Sequence, residues 1–143
     1  MVKITQYSEA KEVAVTLTLK ALEQYGTGES EGWITYKLLV ERGGATLTQT
    51  DGTILDVDVA SIIEACQSDI QKAVSVEPLE PDFEIRLNRI DDETIEFICF
   101  IDETHVKHGY YDTPNVGVKF EVTPNELKSF GTTLNDELNK ITG

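Results

Sequence analysis

Asp102, His105, His108 and Asp112 lie within one short stretch, and His105-Val-Lys-His108 looks like half of a zinc site. Zinc accepts imidazole nitrogen and carboxylate oxygen, but its ligands must converge and be held by further hydrogen bonds. Histidines three apart converge on a helix. This segment runs on into Gly109-Tyr-Tyr-Asp-Thr-Pro114 and reads as a loop, so we expect solvated histidines and no metal. Glu80, Asp82 and Glu84 place carboxylates at alternate positions, an arrangement that acid–base catalysis could use. Glu84 alternates with Phe83 and Ile85, however, and should face water, where nothing tunes its proton affinity. Cys66 and Cys99 sit in apolar patterns, as buried reduced thiols do, and neither has the cationic neighbours that make a thiolate. No serine occupies a nucleophile elbow, and Gly43-Gly44 lacks the motif of a phosphate-cradling loop. These residues point to binding, with no catalytic group and no cofactor.

The elements that position these groups must come from a chain of 143 residues, 40% of them hydrophobic. That suits a single globular domain, 1–143, able to bury about two-thirds of its unfolded surface. No apolar run approaches the roughly 20 residues that span a bilayer, and the N-terminal residues lack the apolar core of a signal peptide. We therefore expect a cytoplasmic protein with no membrane partner. Twenty-six acidic residues against twelve basic ones give a net charge of −14. That argues against nucleic acid, which needs a positive surface to displace counterions, and it suits a basic protein partner. The charge is uneven. Residues 77–103 hold 10 acidic and 2 basic side chains, a net −8, which suggests a localised negative face.

Val13, Val15, Leu17 and Leu19 alternate with smaller or polar residues, the period of a half-buried strand. A turn-rich connector, 25–32, leads to a second strand with Ile34, Tyr36, Leu38 and Val40 on one face. Gly43-Gly44 marks a hairpin turn. A third strand, roughly Thr46 to Val57, is interrupted at Asp51-Gly52 by either a bulge or a second tight turn. From Val59 the period becomes helical, through Ile62, Ile63, Cys66, Ile70, Ala73 and Val74, with Asp58 as N-cap. The Pro78 and Pro81 segment ends that helix. Phe83, Ile85 and Leu87 then mark a strand, Asp91-Asp92-Glu93 a turn, and Ile95 to Ile101 a strand apolar on both faces, as central strands are. Residues 103–115 read as a long polar loop. Val116, Val118, Phe120 and Val122 form a sixth strand. Thr123-Pro124-Asn125-Glu126 is a capping box opening a last helix, with Leu127, Phe130, Leu134, Leu138 and Ile141 on one stripe. The predicted fold is α+β: about six strands, mostly antiparallel, with two amphipathic helices on one face in βββα-βββα order.

On that fold Ile98 and Phe100 point outward from the central strand, with Trp33 and Leu39 on the outward parity of the second. They form an apolar patch that is covered by the N-terminal segment (Val2, Ile4, Tyr7) or a loop, or else meets a partner. Tyr110 and Tyr111 in the long loop are residue types favoured at contacts.

Glu80-Pro-Asp-Phe-Glu-Ile85, Gly109, Val116-Gly-Val-Lys-Phe-Glu-Val122 and Thr123-Pro-Asn-Glu-Leu127 with Phe130 and Leu134 give the chain, over roughly 55–140, a likeness to a known family. The stretch resembles the WapI-type immunity proteins found with bacterial polymorphic toxins. The resemblance implies a cytosolic antidote that binds and blocks the basic nuclease domain of a cognate toxin. On that expectation the contacts are Glu80, Asp82, Glu84, Glu96, Tyr110, Tyr111 and Asp112, and nucleic acid is not a partner. Two alternatives accompany it: a structural or regulatory homodimer through Trp33, Ile98 and Phe100, and a small-molecule or metal-binding enzyme with its site near His105 and His108.

Overall fold

The computed structural model describes residues 1–8, 11–23, 32–79, 82–102 and 115–143. The order is β1 (Val2–Ser8), β2 (Lys11–Glu23), β3 (Trp33–Arg42), β4 (Ala45–Leu55), α1 (Asp56–Gln67), β5 (Ala73–Val76), β6 (Phe83–Arg89), β7 (Ile95–Asp102), β8 (Asn115–Val122) and α2 (Pro124–Thr142). The α+β class and the alternation of antiparallel strands with a helix, repeated once, stand as the periodicities imply. The strand count is eight, in two four-stranded sheets ordered β1-β2-β3-β4 and β5-β6-β7-β8.

The two added strands come from segments whose pattern was ambiguous. Val2 and Ile4 pair into the first sheet (Val2↔Leu17, Ile4↔Val15) and are buried, so the N-terminal segment extends the sheet and does not lie across its outer face. The helical spacing continued to Val74, but α1 stops at Gln67. Ser68 turns extended there, and both its amide and its hydroxyl bond back to the Glu64 carbonyl. Val74 and Val76 then alternate with Ala73 and Ser75 and pair with Leu87 and Ile85. Cys66, Ile70 and Val74 recur every four residues, which fits either period, and strand pairing decided the last of them. The helix also begins three residues earlier than expected, with Leu55 as N-cap; Asp56 and Asp58 sit in its first turn, where the helix dipole favours them. The Asp58 carboxylate accepts the Leu79 amide at 3.0 Å, holding the chain after β5 against α1.

Gly43 and Gly44 adopt φ of 60° and 79°, the left-handed geometry of a two-residue hairpin turn. Asp51-Gly52 is neither bulge nor turn: β4 passes straight through, with Lys37↔Asp51 and Tyr36↔Gly52 in register. The β3–β4 irregularity falls between Val40 and Glu41, opposite the exposed Leu47, and a second lies in β2 between Leu19 and Ala21. Glu137 of α2 accepts the Leu19 amide at 2.8 Å and so satisfies the backbone at that second irregularity.

The inward faces of both sheets and both helices share one apolar core. Tyr36 meets Phe83 edge-on across the sheets at 5.5 Å, and Phe97 contacts both Phe120 and Phe130. β8 touches both β1 and β4, the two edges of the first sheet, so the second sheet runs across the first. α1 and α2 pack on each other at Gly131. The predicted capping box of α2 is present: Thr123 accepts the Glu126 amide and Glu126 accepts the Thr123 amide.

Candidate functional site

Strand alternation sets the outward face of the second sheet. Phe83, Ile85, Leu87, Phe97, Cys99 and Ile101 take the inward positions and are buried. Their neighbours face out in cross-strand rows: Glu84, Phe100 and Gly117; then Ser75, Arg86, Ile98 and Lys119; then Ala73, Asn88, Glu96 and Glu121. The middle of this face is apolar. Ile98 is 7% exposed between its row neighbours Arg86 and Lys119, whose aliphatic stems can lie along it, and Phe100 is half-buried. The Arg86 guanidinium sits 6.0 Å from the centre of the Phe100 ring. On its other side Phe100 meets Gly117, where a methyl group would come within 1.9 Å of the Cys99 carbonyl oxygen. Only glycine permits that approach of β8 to β7, and it leaves the ring without a flanking side chain.

Glu84 and Glu96 have partners on this face. Glu84 accepts from Arg86 Nε at 2.5 Å and from the Ser75 hydroxyl at 2.6 Å. Those bonds, the Arg86 one foremost, hold the Glu84 carboxyl below its ordinary range, and Glu84 in turn raises Arg86. Glu84 was expected to be untuned; it is tuned downward, the direction of a permanent anion and not of a proton-transfer group. Asn88 Nδ2 donates to Glu96 Oε1 at 3.1 Å. Lys119 and Glu121 are exposed on β8.

Of the residues singled out in the sequence, Glu84 and Glu96 share this outward face. Asp82 does not: it precedes β6, and the buried Tyr36 donates to its Oδ2 at 3.4 Å. Burial, then the Asp82 charge, raises the Tyr36 phenol far above its ordinary value. Trp33 and Leu39 are half-buried on the outward side of the first sheet, so Trp33, Ile98 and Phe100 belong to two different sheets and make no common surface. Glu80, His105, His108, Tyr110, Tyr111 and Asp112 lie outside the described residues. Among the described residues, no cluster of three or more metal-ligating side chains occurs, and no helix is long and apolar enough to cross a membrane. Burial pushes the Cys66 and Cys99 thiols up to about 12.

The sequence pattern gave no sign of Arg86 and Lys119. They alternate with apolar residues, as ordinary solvent-facing positions do. Only the register, which sets Arg86 and Lys119 on either side of Ile98, makes them the frame of an apolar centre.

No family model and no curated protein sequence matches the chain. Solved structures do. WHY1 from Arabidopsis thaliana superposes with a TM-score of 0.54 at 9% identity, covering 99% of this chain and 85% of that one. WHY3 from Arabidopsis thaliana gives 0.52 at 10% identity, covering 100% and 89%. The plant transcriptional regulator PBF-2 gives 0.47 at 11% identity, covering 98% and 81%, too weak to add to the other two. These likenesses run the whole chain, including the N-terminal third that the family resemblance did not reach, and they correct the function drawn from it. A toxin-blocking immunity protein, its basic nuclease partner and the exclusion of nucleic acid are withdrawn. The exclusion does not follow from composition, because net charge describes a whole chain, whereas a ligand meets one face, and this face carries cations beside its aromatic ring. In architecture the chain is similar to WHY1 and WHY3 over its full length.

Proposed function

We propose that the chain is a binding protein, not an enzyme, that takes single-stranded nucleic acid on the outward face of its second sheet. The observation that carries this reading is Phe100 on an interior strand, beneath Arg86 and one row from Lys119. An open sheet with an aromatic ring lets a base lie flat, and neighbouring cations meet its phosphates. Every base has a π-face, so such a surface works with few charges. That suits a chain of net charge −14: bases turn towards the sheet and the phosphate backbone turns to solvent.

Fluorescence anisotropy with short labelled single strands at low salt tests it. Stacking on an aromatic side chain contributes roughly 1–3 kcal/mol per base, so Phe100→Ala should weaken binding by about tenfold or more. Two phosphate contacts, at Arg86 and Lys119, predict a shallow salt dependence, with log K falling by about 1.4 per decade of salt. Lys119→Ala should reduce that slope by about half. Absence of binding at low salt, or a Phe100→Ala protein that is folded and binds as well as the parent, would refute the reading.

A further inference from the structure

The third row of the same face is unlike the other two. It carries no apolar centre and no cation; its residues are Ala73, Asn88, Glu96 and Glu121. Along β7, Glu96 lies four positions from Phe100 on the same side, about 13 Å at strand spacing. An extended single strand whose base rests on Phe100 reaches Glu96 within a few nucleotides. A carboxylate there repels phosphate, so what meets it must be a base edge. The carboxylate is also held in place, because Asn88 Nδ2 donates to its Oε1 at 3.1 Å across the β6–β7 pair.

An ionised carboxylate only accepts hydrogen bonds, through two oxygens lying side by side. Guanine alone among the bases has two adjacent donors on its Watson–Crick edge, N1–H and the N2 amino group. Cytosine and adenine set one donor beside an acceptor nitrogen, and thymine and uracil flank one donor with two carbonyls that a carboxylate repels. We infer that Glu96, oriented by Asn88, selects guanine a few nucleotides along the strand from the base stacked on Phe100. This assignment rests on the single-strand reading of the face and adds sequence preference to it. It also accounts for a carboxylate row on such a face: phosphate is excluded at that end, and the carboxylate distinguishes base edges that the ring cannot.

The test compares three labelled single strands of equal length: thymine only, alternating guanine and thymine, and the alternating strand with inosine replacing guanine. A well-formed two-bond contact to a base predicts about tenfold tighter binding of the guanine strand than of the thymine strand. Inosine lacks the N2 amino group and should lose most of that preference. Glu96→Gln replaces one acceptor oxygen with a donor and should bring the guanine-to-thymine affinity ratio close to one, and Asn88→Ala should lower the ratio by a smaller factor. Thermal unfolding of both variants at the parental midpoint confirms that the change is local. Equal affinity for the guanine and thymine strands, or a ratio that survives Glu96→Gln, overturns the guanine assignment and leaves the face intact. Failure of all three strands to bind overturns the face itself.

Discussion

The packing of the two helices at Gly131 can be probed by adding one methyl group. At position 131 an alanine Cβ would sit 2.9 Å from Cys66 Cβ, 3.0 Å from Gln67 Cγ and 3.4 Å from the Ile63 carbonyl oxygen. Favourable carbon–carbon contacts lie at about 3.5–4.0 Å, so the first two are short by roughly half an ångström or more. Gln67 can swing its Cγ away. Cys66 Cβ is fixed to the α1 backbone, so relief requires α1 and α2 to part, loosening the buried Leu127, Phe130 and Leu134 against the shared core. In an open helix, Gly→Ala stabilises by about 1 kcal/mol. Overpacking of a tight core costs about 1–3 kcal/mol. The balance predicts that Gly131→Ala destabilises by about 1 kcal/mol and lowers Tm by about 3–4 °C for a chain of this length. Urea unfolding followed by circular dichroism measures it. The control is Cys66→Gly, which removes the very atom being struck. Each change alone should destabilise, and the pair should be less damaging than their sum by about 1 kcal/mol or more. If Gly131→Ala instead raises stability by its open-helix amount, the crossing is not tight and the reasoning fails.

Thr123→Ala deletes the α2 cap, in which side chain and backbone bond reciprocally with Glu126; thermal unfolding should show a loss of about 1 kcal/mol. Leu134→Ala, at a fully buried position on the same helix, should cost roughly 3 kcal/mol by chemical denaturation. The Cys66 and Cys99 thiols, pushed up to about 12, should label with a thiol reagent near pH 8 only as fast as the protein opens, so native-state labelling faster than unfolding would contradict their burial. Glu84 has its folded carboxyl value lowered, chiefly by Arg86, beneath an ordinary 4.5. A lowered acid contributes stability above its unfolded value and loses it as pH falls through the folded one. Glu84→Gln should therefore lower Tm near neutral pH, with the gap to the parent closing below about pH 4; a gap that persists in acid would exclude the Arg86 pairing as its source.

Periodicity reveals an element when only one period fits. The α2 stripe, the cap at Thr123 and the Gly43-Gly44 turn each had one reading, and each stands in the structure. Val74 fitted two, and the arbiter was a partner strand more than ten residues further on, which no local pattern contains. Asp51-Gly52 misled for a related reason. Glycine is a turn residue by local rule, but here it lies opposite Tyr36, and an added Cβ would come within 3.0 Å of the Asp82 carboxylate. That requirement comes from a residue outside the first sheet. The candidate site was half-legible. Ile98 and Phe100 were seen as an outward apolar pair, because a strand apolar on both faces shows it directly. Arg86 and Lys119 were not, because a cation alternating with apolar residues is the commonest solvent-facing pattern and only the cross-strand register gives it neighbours.

The acidic run diverges from its sequence pattern in the same way, with a functional consequence. Residues 77–103 hold a net −8 and suggested one negative face, yet the fold disperses that charge. Asp82 is engaged by Tyr36 near the junction of the sheets. Asp91, Asp92 and Glu93 occupy the turn between β6 and β7, where Arg89 donates to the Asp91 and Asp92 carbonyls. Glu84 is answered by Arg86 and Ser75. Glu96 stands at the far end of the face, bonded to Asn88. A strand sends successive residues to opposite sides and a hairpin carries its turn to the end of the sheet, so a dense run of charge in sequence need not make a dense surface. What remains on the outward face is a gradient along the strands, from an aromatic ring with neighbouring cations to a carboxylate row. A surface built for a basic protein would concentrate its carboxylates; this one sets an aromatic ring and a carboxylate row at opposite ends, and the single-strand proposal rests on that separation.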